Sequence, residues 1–184
     1  MYLKYLASLS HFIPELICCI TMFGLIILEA TYSDDEKRRP LLLGGAFLGL
    51  LLALIWLVLG LKSEPTLIFT KSAVIDPFSS LIKILMVLGT MGAIYLSKSS
   101  KDIATNLKAE FAIMATGVLI GGMLLASANN LLILYIGIET LSILSYVMAS
   151  FSKDSELSSE AGLKYALSKN IFTVSLLTPD LAPP

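Results

Sequence analysis

The chain has 184 residues, 56% of them hydrophobic and 15% charged, with a formal net charge of −1. Soluble domains average about 45–50% apolar and about 25% charged residues, so a departure on both counts, carried by long uncharged runs, points to an all-α polytopic transmembrane helix bundle. No basic excess offers nucleic acid a face to bind, and Cys18, Cys19 and the lone His11 match no zinc or iron–sulfur spacing.

The first apolar run predicts a span over Phe12–Ala30, with Pro14 and Glu15 in its first turn, where a missing N–H costs nothing and a carboxylate suits the helix dipole. Lys4 precedes it without an A-x-A-like cleavage site before the charged loop, so the run reads as a retained helix. The mixed-charge loop Tyr32–Pro40 is expected to end in a helix-breaking proline. Leu41–Leu61 is a second, uncharged span whose Gly45 and Gly49 would let another helix approach closely. A polar connection, Lys62–Ala73, contains Pro65. Asp76-Pro77 then reads as an N-cap followed by proline at the first helical position, opening a third span over Pro77–Leu96. Lys83 lies roughly two turns into it; the side chain is long enough to snorkel to the nearer interface, and the other reading makes it part of a buried proton path.

The basic loop Lys98–Lys108 leads to a fourth span, Phe111–Ala128, with Glu110 at its head and Gly117 and Gly121 as a second close-approach step. Asn129-Asn130 is a tight turn into the fifth span, Leu131–Phe151, so these two form an antiparallel hairpin. After the polar Ser152–Ser159, a sixth segment over 160–177 starts with Glu160 and holds Lys164, but Lys169-Asn170 and Pro179 leave it incomplete.

Glu139 stands near the middle of the fifth span, out of reach of either interface. Helical spacing places Tyr135, Ser142 and Tyr146 on its face, as a polar stripe on an otherwise lipid-compatible rod. An ionisable group at that depth is costly and marks a functional-site candidate; the competing reading is a protonated carboxyl that only joins two helices.

The stretch ASANNLLILYIGIETLSILSYVMASF followed by SSEAGLKYALS resembles subunit N of NADH-quinone oxidoreductase (respiratory complex I) and, more broadly, the antiporter-like membrane subunits of that complex and of Mrp sodium/proton antiporters. Weaker support comes from Pro14-Glu15-Leu16, from Ile75 to Phe78 and from Glu110-Phe111. The resemblance covers most of 12–167 and departs after Leu167, where the family would continue with further spans. It implies a proton-translocating role for Glu139 and Lys164, with Lys83 as a further candidate. It also implies that NADH, FMN, the iron–sulfur clusters and quinone sit elsewhere in the complex, with no cofactor on this chain. The partners implied are membrane lipid and the other membrane subunits of complex I. The alternatives are a cation/proton antiporter module, or a truncated, membrane-inserted fragment with no activity of its own.

The location expected is the inner (plasma) membrane. Lys4, Lys62, Lys71 and Lys169 would lie on one side, and Lys37, Arg38, Arg39, Lys98, Lys101, Lys108 and Lys153 on the other. The positive-inside rule makes the second set cytoplasmic and the N-terminus external.

Overall fold

The computed structural model describes residues 12–31, 35–61, 66–68, 72–100, 107–150, 158 and 160–168. Five helices are long and apolar enough to cross a membrane: α1 (Ile13–Thr31), α2 (Asp35–Gly60), α3 (Pro77–Ser99), α4 (Lys108–Ser127) and α5 (Leu131–Ala149). Residues 160–168 are also helical, whereas 169–177 of the expected sixth segment lie outside the described residues. The chain divides into two units, 1–141 and 142–184, and α5 belongs partly to each.

In the first unit, α1 packs on α2 and α4, and α3 packs on the same two helices, so α1 and α3 take opposite corners of a four-helix bundle. Its core alternates small and large residues, Ala46, Ala53, Ala109, Ala112 and Ala115 among Leu42, Leu50, Leu57, Leu119 and Met123. Between helices in lipid, such alternation gains van der Waals contact where no hydrophobic drive is available. α4 is buried around most of its circumference through Ala, Gly and Thr positions. Outside, Leu51, Leu52, Ile55, Trp56 and Leu59 on α2 and Leu81, Leu85 and Leu88 on α3 are exposed, an apolar surface suited to acyl chains.

Both glycine steps take a neighbour. A Cβ on Gly49 would run into the Thr21 side chain, so α1 is the helix that this position admits. A Cβ on Gly121 would lie 2.8 Å from the Leu141 backbone N and 3.2 Å from the Gly137 oxygen, and one on Gly137 would lie 3.1 Å from Leu125 N. The backbones of α4 and α5 thus touch where side chains are missing.

Asp76 caps α3 as its sequence predicts. Ser79 N donates to Asp76 Oδ1 (2.7 Å) and Asp76 N donates to Ser79 Oγ (3.1 Å), a reciprocal capping box with Pro77 at the first turn.

Two local readings are corrected. α2 begins at Asp35, inside the expected loop, and Pro40 does not break it; so near a helix start, proline removes a single intrahelical bond, which the continuing apolar helix offsets. The connection Lys62–Ala73 also holds structure, because β1 (Thr66–Ile68) pairs antiparallel with β2 (Ala73–Ile75), Leu67 opposite Val74. Ile68 and Ala73 are buried. The hairpin is fastened to the α4–α5 turn by an Ala73–Ala128 bridge and by Asn129 N donating to Ser72 O at 3.0 Å. Asn130 completes the junction: its Nδ2 donates to Ser72 Oγ (3.0 Å), and its Oδ1 caps α5 by accepting from Ile133 N (2.9 Å).

Candidate functional site

The inward face of α3 is written by Ser79, Ser80, Lys83, Val87, Ile94 and Ser97, all buried. Steps of three and four bring these onto one side of a helix. Lys83 is 1% exposed and therefore does not snorkel, because its stem follows that stripe into the bundle rather than the lipid-facing side. Across the bundle, α1 places Pro14, Glu15, Cys18 and Leu25 on its buried side. Glu15 is 0% exposed, and its Oε1 accepts from Lys83 Nζ at 2.5 Å. The pair links the two helices at opposite corners, and the long lysine side chain supplies the reach.

Its depth follows from helix geometry. Glu15 is about 3 Å and Lys83 about 9 Å past the first residue of its helix at 1.5 Å per residue. Burying two charges is repaid only when their partners are complete. Here they are not: Glu15 Oε2 is buried and has no hydrogen-bond partner among the described residues. One turn further along α1, Cys18 Sγ lies 3.9 Å from Met123 Sδ of α4, a packing contact between soft atoms.

Sequence reasoning treated Glu15 as a first-turn residue and Lys83 alone, and so missed the pair. The signal was present, because spans one and three run the same way and put their first turns on one membrane side. An intramembrane acid and base at similar depths on one side are natural partners.

Glu139, in the first unit, is half-buried on α5 and has neither ion-pair nor hydrogen-bond partner among the described residues. Tyr135, one turn earlier, is exposed. In the second unit, Ser142 is buried with its hydroxyl unpartnered among the described residues, and Tyr146 meets Tyr165 edge-on with ring centroids 5.2 Å apart. Lys164 Nζ lies 2.5 Å from Glu160 Oε1 in an exposed i,i+4 pair. The Tyr135–Glu139–Ser142–Tyr146 stripe is thus divided between the units, and Lys164 already holds a local partner. Among the described residues, no cluster of His, Cys, Asp or Glu is arranged to hold a metal ion.

Apolar helices that enclose an ion pair and carry a mid-span carboxyl define a polytopic helical membrane protein with ionisable groups inside its spans. Residues 128–179 match the family described as NADH:quinone oxidoreductase/Mrp antiporter, transmembrane. The match begins at the α4–α5 turn, takes in Glu139 and Lys164, and continues past Leu167. The chain is 36% identical over 162 residues to NADH-quinone oxidoreductase subunit N of Beijerinckia indica, covering 85% of this chain and 32% of that protein. It is 32% identical over 161 residues to subunit N of Erythrobacter litoralis, covering 86% and 33%. Against subunit N of Bartonella bacilliformis it is 32% identical over 183 residues, covering 96% and 37%. The chain is thus similar over most of its own length to these subunit N proteins and spans about a third of their length.

Proposed function

We propose that the chain is part of a proton-translocating membrane subunit of NADH-quinone oxidoreductase, coupling electron transfer elsewhere in the complex to proton movement through buried glutamate and lysine groups. The observation that carries this reading is Glu139, an ionisable carboxyl midway along an apolar span and inside the region that matches the family. A carboxylate near an ammonium favours both charged forms, and separating them in a poorly solvated interior lets the lysine shed its proton. In this reading Glu139 and Lys164 serve as neighbours in such a chain of groups, with Tyr135, Ser142 and Tyr146 as polar support. NADH, FMN, iron–sulfur clusters and quinone are handled by other subunits. The chain lies in the inner (plasma) membrane with its N-terminus outside, among lipid and the other membrane subunits of the complex.

The 184-residue chain by itself carries no protons across. A path needs ionisable groups or water within hydrogen-bond reach throughout, and here Glu139 is unpartnered among the described residues while Lys164 is held by Glu160 at the surface. A second reading, a cation/proton antiporter module, draws on the family description, which names Mrp antiporters beside the oxidoreductase.

The test is Glu139→Gln in a chain of the relatives' length, assembled and reconstituted in vesicles. The near-isosteric amide should leave NADH-driven electron transfer measurable and impair proton pumping, and unchanged pumping would refute the role of Glu139. Sodium flux without NADH, abolished by the same substitution, would favour the antiporter reading.

A further inference from the structure

We propose that Glu15 and Lys83 form a second proton-binding site, a hydrated ion pair in the first four helices that nothing in the Glu139–Lys164 reading uses. Three observations carry it. Both side chains are buried, at 0% and 1% exposure. Glu15 Oε1 is engaged by Lys83 Nζ, yet Oε2 is buried without a hydrogen-bond partner among the described residues. An ammonium has three hydrogens to donate, and the contact to Oε1 accounts for one of them.

A pair that served only as a clip would close its remaining positions with serine hydroxyls or backbone carbonyls, because buried polar groups left open cost about 1–3 kcal/mol each. Ser79 is one turn from Lys83 on the same face, but its hydroxyl is committed to the Asp76 cap. The open Oε2 lone pairs and the spare Nζ hydrogens therefore define acceptor and donor positions of the kind that buried water fills.

Neither Glu15 nor Lys83 is paired with any other charged group among the described residues. Among the described residues, Cys18 is the nearest titratable group along α1; Asp76 lies at the α3 cap, two turns from Lys83. The Leu41–Gly60 part of α2, the Phe111–Ser127 part of α4 and the two hairpin strands carry none. The proton step balances simply. A hydronium ion arriving through the bound water gives its proton to Oε2 and is left as water, turning the carboxylate into a carboxylic acid while Lys83 stays an ammonium; the reverse step returns the proton to water as hydronium. The site alternates between net charges of zero and plus one.

Because it assigns the site to a proton-moving subunit, the inference rests on the function proposed above, and the experiment separates the two. The full-length chain in its assembled complex is compared with Glu15→Gln and with the double variant Glu15→Leu/Lys83→Met, with Glu139→Gln as reference. Glu15→Gln keeps an acceptor for Lys83 and should assemble, with a loss in protons pumped per NADH. The double variant replaces the pair by apolar residues of similar volume, a change that is often tolerated, and should show the same loss. An infrared difference spectrum of the wild-type complex after a pH step should show a carboxylic C=O band that shifts in deuterium oxide and is missing from Glu15→Gln. Wild-type proton yield from an assembled double variant would reduce the pair to a structural clip and overturn the proposal. Absence of the Glu15 band overturns it even where the double variant fails to assemble. If Glu139→Gln pumps normally while the band is present, the proposed function falls and the binding site stands.

Discussion

Adjacent glycines on α4 give a sharp test of how closely the helices meet. Gly121→Ala puts a methyl 2.8 Å from Leu141 N, 3.1 Å from Leu141 Cα and 3.2 Å from Gly137 O, all backbone atoms that no rotamer change can move. Ordinary contact needs about 3.5–4.0 Å, so α5 must retreat by about 0.7–1 Å along the segment that carries Glu139. Overpacking of this kind costs about 1–3 kcal/mol, against a helix-propensity gain of at most about 1 kcal/mol for replacing glycine. The net expectation is a loss of about 1–2 kcal/mol. Gly122→Ala, one residue on, meets Met86 Sδ at 3.0 Å and Cε at 3.4 Å, the end of a flexible side chain, and should be nearly neutral. Gly89→Ala on α3 meets nothing within 4 Å and should be neutral or stabilising. The assay is unfolding of each variant by dodecyl sulfate titration in mixed micelles, followed by circular dichroism. Equal midpoints for Gly121→Ala and Gly89→Ala would refute the backbone contact between α4 and α5.

Three further outcomes are expected. Lys83→Met alone leaves a buried, uncompensated carboxylate and should cost about 3–5 kcal/mol, while Glu15→Leu/Lys83→Met should recover most of it; a double variant as unstable as the single one would show that the pair is not coupled. Asp76→Ala removes the capping-box acceptor of Ser79 N and should lower stability by about 1 kcal/mol in the same titration, whereas an unchanged midpoint would mean that water satisfies the α3 start equally well. With Cys18 and Cys19 replaced by alanine, Asn129→Cys at the exposed α4–α5 turn should react with a membrane-impermeant thiol reagent from outside intact cells; labelling only after the inner face is opened would invert the topology.

The features legible in the sequence were those set by local chemistry. Long apolar runs marked five spans because hydrocarbon demands apolar side chains over a fixed length, and Asp76-Pro77 marked a helix start because a carboxylate and a fixed φ do the same job in any context. Gly45, Gly49 and Gly121 announced close approach without naming the neighbour, since nothing at a glycine says which helix fills the gap. The hairpin at Thr66–Ile75 was invisible because each strand has three residues, too few for alternation to register. Pro40 misled because the cost of proline depends on how far it stands from the helix start. Glu15 and Lys83 were each visible; their pairing was not, because it depends on how helices are arranged around one another.

That pairing imposes an order on synthesis. Glu15 and Lys83 are separated by 68 positions. At about 5–20 residues per second, a ribosome reaches the lysine roughly 3–14 seconds after the glutamate. Throughout that interval α1 holds an acid without its base, close enough to its end for the carboxyl to wait among lipid headgroups or to wait protonated. The pair cannot close until α3 is made, so the seating of α1 against its base waits on a helix that follows it by two.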